Sequence, residues 1–260
     1  PCMLRTEEFW DAVNFARGAR PAKLRPAPLS GEEAYRARLR AFEEFVAFVA
    51  KHEGARVITY RELPSIYRDP VVELSRDDLG ALAKKLLERP SFHVIGDKPV
   101  SLADAFYALS FSLKAFREGD ALPQKVTPPL ILGPLEEPAE LEESFRVRVK
   151  DVVDAAAHAY GELDRNRAIP SSIAVGGKEV GPLSFLLAMA RAYLMLVNGD
   201  VGRVEVPALG ELLDFEDYNF KSRVASQWSW VIFPEGFYSR NILRLTLLQL
   251  WTLKLAIMKC

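Results

Sequence analysis

Apolar residues recur at helical spacing over three long stretches of the chain, and two further apolar stretches read as helices, so five long helices are predicted. The first carries Leu39, Phe42, Phe45, Val46 and Val49 and runs to about His52, behind a capping box formed by Ser30 and Glu33. The second is capped by Ser75 and turns Leu79, Leu82, Leu86 and Leu87 inward. The third carries Leu102, Phe106, Leu109, Leu113 and Phe116, and Gly119-Asp120 stops it. The fourth spans Val149 to Asn166 and the fifth Leu183 to Val197. A shorter helix opens behind Thr6, which has acids in its first turn. β-Branched and aromatic runs at Arg56–Tyr60, Phe92–Ile95, Ile173–Val175 and Val204–Val206 predict short extended pieces. A further capping box, Thr59 with Glu62, starts a helical turn bracketed by Pro64 and Pro70.

Two of these helices belong to a repeat. Residues 90–120 read PSFHVIGDKPVSLADAFYALSFSLKAFREGD, and residues 170–200 read PSSIAVGGKEVGPLSFLLAMARAYLMLVNGD. A shift of 80 positions (170 less 90) aligns Pro90, Gly96, Lys98, Val100 and Asp120 with Pro170, Gly176, Lys178, Val180 and Asp200. The same shift reaches Val126/Val206 and Leu132/Leu212. Such a signal denotes one duplicated supersecondary unit. That unit is a helix, a short hairpin-like arm, a second helix and an extended return. Neither copy has the apolar surface to stand alone, so the two are expected to pack on each other. The fold class is mostly α with short β arms (α+β), following a small α/β segment. The expected divisions are residues 1–70, 71–138 (first copy and Pro-rich linker), 139–215 (second copy) and 216–260, an aromatic tail with a capping or interface helix.

Hydrophobic residues make up 49% and charged residues 27%, an ordinary globular composition, and the formal net charge of −1 offers no general pull toward nucleic acid. Ile242 to Met258 is interrupted by Arg244, Gln249 and Lys254, so no membrane span is expected. No signal peptide is visible at Pro1-Cys2-Met3-Leu4. Scarce Asn and Gln beside abundant Arg and Glu are compatible with a thermophilic source. Cys2 and Cys260 either close a disulfide near the two ends or are two unrelated thiols.

The order of features in the second copy carries a resemblance. An Ala-rich helix, VVDAAAHAYGELDRNRAIP, precedes the arm SSIAVGGKEV and the helix GPLSFLLAMARAYLMLVNGD. Over residues 76–210 this looks like the pseudomurein-binding repeat of archaeal cell-surface proteins. The resemblance implies non-covalent attachment to an envelope polysaccharide or glycoconjugate, and an extracellular or cell-surface location. Residues 1–70, with the helix AYRARLRAFEEFVAFV and the segment RVITYRELPSIY, are similar to the C-terminal end of a polysaccharide deacetylase barrel. That family's Asp-Asp and His-x-x-x-His metal motifs are absent from this chain.

Candidate chemistry is sparse. His52, His93 and His158 share no ligand spacing, and neither a nucleophile elbow nor a phosphate loop occurs, so no catalytic residue, metal or cofactor is assigned. Trp228, Trp230 and Tyr238 have the flat faces and polar edges that stack on sugar rings, though they serve equally as core or as a surface for self-association. Lys98 and Lys178 recur in both copies as candidate carbohydrate contacts, or simply as solvated turn residues. The expected function is a non-catalytic cell-envelope polysaccharide-binding region, the C-terminal part of a polysaccharide-deacetylase-like protein. Two alternatives remain: a structural subunit of an extracellular archaeal assembly, and a metal-dependent deacetylase whose catalytic part lies outside this chain.

Overall fold

The computed structural model describes residues 2–68, 72–209, 232–234, 237 and 239–258. They divide into two units, residues 2–66 with 232–239, and residues 67–209 with 240–258. The protein is mostly α with short antiparallel β arms.

The first unit holds α1 (Cys2–Arg5), α2 (Trp10–Phe15), α3 (Glu32–Lys51) and α4 (Leu63–Ile66). Buried Asn14 organises its start. The Asn14 amide donates to the Trp10 and Arg25 carbonyls, and its oxygen accepts from the Arg25 amide at 2.7 Å, which fixes the proline-rich connection. Three local expectations give way here. Thr6 does not cap a helix; it bridges Leu29, and α2 begins after Phe9. Ser30 does not cap α3 either: Gly31 holds that place, and the Ser30 hydroxyl accepts from Arg38 instead. Arg56–Tyr60 forms no strand, because no described segment offers it a ladder and an unpaired strand leaves its backbone to water. The Thr59–Glu62 capping box is present. Along α3 no residue is buried, and Phe42, Phe45, Val46 and Phe48 stand in solvent.

The second unit begins with β1 (Tyr67–Arg68) and β2 (Leu74–Ser75), followed by α5 (Arg76–Glu88), the arm β3 (His93–Ile95) and β4 (Lys98–Val100), α6 (Leu102–Gly119) and β5 (Lys125–Val126). The second copy runs through β6 (Phe145–Arg148), α7 (Val149–Asn166), the arm β7 (Ile173–Val175) and β8 (Lys178–Val180), α8 (Pro182–Val197) and β9 (Arg203–Val206). Last come α9 (Arg240–Thr252) and β10 (Ile257–Met258), which pairs with β1. Each copy closes on itself through an antiparallel ladder between its first and last strands, β2 with β5 and β6 with β9. The opening strands β2 and β6 escape sequence reading because the partner of each lies far along the chain, and β2 is only two residues long.

The helices then pack crosswise. The leading helix of each copy lies on the trailing helix of the other, α5 on α8 and α7 on α6, while α6 and α8 meet between them. Fully buried Phe106 of α6 faces Phe185 of α8 and the edge of Trp251 of α9. Buried polar groups follow the same crossing. Tyr193 of α8 donates to the Arg76 carbonyl of α5 at 3.1 Å, and burial pushes its hydroxyl up to about 12, so it stays a donor across the working range. The hydroxyls of Tyr107 on α6 and Tyr160 on α7 meet at 3.2 Å. The linker between the copies packs against α9, where a Cβ on Gly133 would come within 2.8 Å of the Trp251 Cβ. No described helix is long and apolar enough to cross a membrane.

Truncating Phe106 to Ala is expected to cost about 3–5 kcal/mol, because it leaves a cavity at the crossing of three helices. Truncating exposed Phe42 should stay within about 0.5 kcal/mol. Chemical denaturation of the two variants checks the contrast.

Candidate functional site

The residues carried forward from the sequence divide. Trp228, Trp230, Tyr238 and Cys260 lie outside the described residues, as does the side chain of Cys2. Lys98 and Lys178 occupy the same place on two separate arms, and their surroundings differ. Lys98 spans from β4 to the start of α5, where its ammonium meets Asp78 at 2.7 Å. Lys178 is exposed and lies 4.7 Å from the centre of the Phe145 ring.

The Asp78 pair is built on a helix cap. Ser75 and Asp78 satisfy each other's amides at the start of α5, as the sequence predicts. Partial burial works against ionisation of Asp78, but hydrogen bonds from Lys98 and Ser75 outweigh it and hold the carboxyl below its usual range. The matching aspartate of α7, Asp151, is held by Arg148 at 2.7 Å rather than by an arm lysine.

A groove of about 460 Å³ opens between α7 and the second arm. Asp151, Asp154, His158 and Glu162 line it from the helix; Pro170, Ser172, Ile173, Ala174 and Gly176 line it from the arm. Successive turns of α7 place the four polar side chains on one face, spaced i, i+3, i+7 and i+11. His158 Nδ1 lies 3.0 Å from the Asp154 carbonyl, so that nitrogen carries the hydrogen and donates. Asp154 is paired with Arg117 of α6 at 2.8 Å. Glu162 is exposed and has no ion pair among the described residues.

The first copy explains why this groove is open. Laying α5 on α7 by their caps, Ser75 on Arg148 and Asp78 on Asp151, needs a shift of 73 residues (148 less 75). That shift places buried Leu79, Leu82, Ala83 and Leu86 on buried Val152, Ala155, Ala156 and Ala159. It also places Lys85 on His158. The arms align at 80 residues (173 less 93), which puts Val94 on Ala174. In the first copy Lys85 reaches across and donates its ammonium to the Val94 carbonyl at 3.0 Å. In the second, the shorter His158 turns back to its own helix. With neither Lys98's nor Lys85's bridge reproduced, the space between helix and arm stays open.

Backbone geometry exposes an acceptor there. The two-residue turn Gly176-Gly177 makes Val175 and Lys178 a hydrogen-bonded pair, so Ala174 and Glu179 form a non-hydrogen-bonded one. The Ala174 carbonyl therefore points away from β8. Pro99 opposite Val94 fits the same pattern, since proline has no amide hydrogen to give. Gly176 has φ +59°, and a Cβ there would sit 2.5 Å from Val147 Cγ1, so the arm is seated against β6. Among the described residues no group of three or more His, Cys, Asp or Glu side chains is disposed to hold a metal ion.

No protein-family model, curated protein or solved structure matches this chain.

Asp151, Asp154 and Glu162 are not among the residues the sequence singles out, and His158 enters there only as a histidine without ligand spacing. The usable signal was their spacing on an Ala-rich helix, together with the loss of a lysine relative to the first copy. That comparison becomes visible only when the leading helices are aligned by their caps.

Gly176→Ala should destabilise more than Gly177→Ala. Both carry the left-handed penalty of about 1–2 kcal/mol, but only the Gly176 variant also collides with Val147. Thermal melts of the two proteins compare them directly. The Asp78 carboxyl, depressed in the folded chain, adds stability that is complete above the unfolded aspartate value of about 4. That stability fades as pH falls through the lower folded value. Asp78→Asn should flatten this acid limb, as followed by denaturation at a series of pH values.

Proposed function

We propose that the duplicated unit is a non-catalytic, cell-envelope polysaccharide-binding region of an extracellular or surface-attached protein resembling a polysaccharide deacetylase. The open groove beside α7 carries this reading. Its carboxylates, the Ser172 oxygen (whose hydrogen goes to Glu179) and the outward Ala174 carbonyl are acceptors for sugar hydroxyls, and half-buried Pro170 offers apolar surface to a ring. The duplicated architecture supports the resemblance to pseudomurein-binding repeats, since both rest on helix, arm, helix and return. The exposed stripe of α3 supports a first unit that belongs against further protein, as the end of a deacetylase barrel would.

The same exposed stripe favours a second reading, a structural subunit of an extracellular archaeal assembly. Light scattering separates the two: a strict monomer removes the assembly reading.

Incubation of the whole chain with insoluble archaeal wall polysaccharide is expected to retain it, and soluble fragments of that polymer should release it. Absence of retention on every envelope polymer tried overturns the binding reading.

A further inference from the structure

We propose that the groove beside α7 recognises a primary ammonium group on its ligand, in the place the first copy gives to its own Lys85. The inference rests on the polysaccharide reading, under which the ligand is an amino sugar with an unsubstituted amine.

The first copy serves as an internal comparison. There the carbonyl at this point of the arm, Val94, accepts a hydrogen bond from an ammonium at 3.0 Å. The equivalent Ala174 carbonyl points out of the second arm into a groove that no lysine of its own copy enters. Side-chain charge changes in the matching sense. Positions 85 and 89 of the first copy are Lys and Arg, and their counterparts 158 and 162 are His and Glu. Two cations have thus given way to one titratable ring and one carboxylate. An ammonium has three donors and no acceptor. The groove offers the Ala174 carbonyl, the Glu162 carboxylate and the Ser172 hydroxyl as acceptors, with Asp151 and Asp154 as further negative charge.

Asp151 and Asp154 already share their charge with Arg148 and Arg117, so Glu162 is the carboxylate left to answer an incoming cation. A volume of about 460 Å³ exceeds what a lysine side chain alone would fill and suits a sugar bearing the amine. The groove is open to solvent, so the attraction should weaken as salt rises.

Calorimetric titration of the whole chain tests this with four probes: a glucosamine tetramer, its N-acetylated counterpart, cellotetraose and tetralysine. The glucosamine tetramer should bind about tenfold more tightly than either neutral oligosaccharide. Glu162→Gln, at an exposed position, should remove most of that preference. His158→Lys restores the residue of the first copy and should abolish binding by placing the chain's own ammonium on Ala174. Thermal melts of both variants confirm that they fold. Equal binding of all three oligosaccharides overturns the ammonium proposal and leaves the polysaccharide reading standing. Tetralysine binding without oligosaccharide binding supports the ammonium site and overturns the polysaccharide reading. No binding by any probe overturns the ammonium proposal, and retention on wall polysaccharide then decides the polysaccharide reading by itself.

Discussion

The crossed packing of the two copies is the constraint on which the larger unit depends. Two-stranded ladders are marginal in water without a face to pack on, so β2–β5 and β6–β9 cannot by themselves hold a copy together. They bring the two ends of each copy close, and the core forms where α5 lies on α8, α7 on α6, and α6 on α8. Small residues buried along α6 and α8, among them Ala105, Ala108, Ala188 and Ala190, leave room for close helix packing. Phe106, Phe185 and Trp251 fill the remaining space. Several of the polar groups caught inside are matched across the copies or within a helix turn. Tyr193 reaches Arg76, and the Ser110 hydroxyl donates to the Phe106 carbonyl at 2.7 Å. Unpaired, each of these groups would cost about 1–3 kcal/mol.

That constraint also explains what was legible in the sequence. Helices driven by burial leave a 3.6-residue period, by which α5 and α6 were readable from their apolar positions, while α7 and α8 were readable as the second copy of the repeat. The arms were readable because a turn with Gly and Lys in the same register recurs 80 residues apart. Isolated strands were not. Arg56–Tyr60 has the composition of a strand, yet composition cannot supply a partner, and Tyr60 ends as the first residue of a 3-10 turn. Conversely, Leu74–Ser75 is too short to register as a pattern, and its partner lies beyond two helices and an arm. The single shift of 80 also fails at both ends of the repeat. Leading helices align at 73 because α7 is longer than α5, and the returns align at 78, where Arg76 bonds Gln124 as Val149 bonds Gly202. Helix stops differ too, since Asp120 takes the left-handed turn that Gly119 was expected to supply. His158 carries no signal by itself because its meaning is relative: it stands where the other copy has Lys85.

The two copies have divided the work of holding an arm in place. In the first, the arm is tied to its leading helix by Lys98 on Asp78 and by Lys85 on Val94, and a Cβ on Gly96 would touch nothing. In the second, both helix ties are gone and the anchorage has moved to the other side. Gly176 presses on Val147 of β6, and Lys178 covers Phe145 of the same strand. The base of that arm is clamped as well, by Ser171 on Glu136 and Ala139 of the linker, and Gly181 lies so close to the Ala139 carbonyl that a Cβ would sit 2.5 Å from it. An arm held also from β6 and the linker can pack on α7 without a polar tie to it. The exposed face of α7 is thereby released from a structural duty, and its acids and His158 border open space. Loss of the helix ties would otherwise be a plain loss of stability; with the arm secured from β6 and the linker, it becomes the condition for a groove.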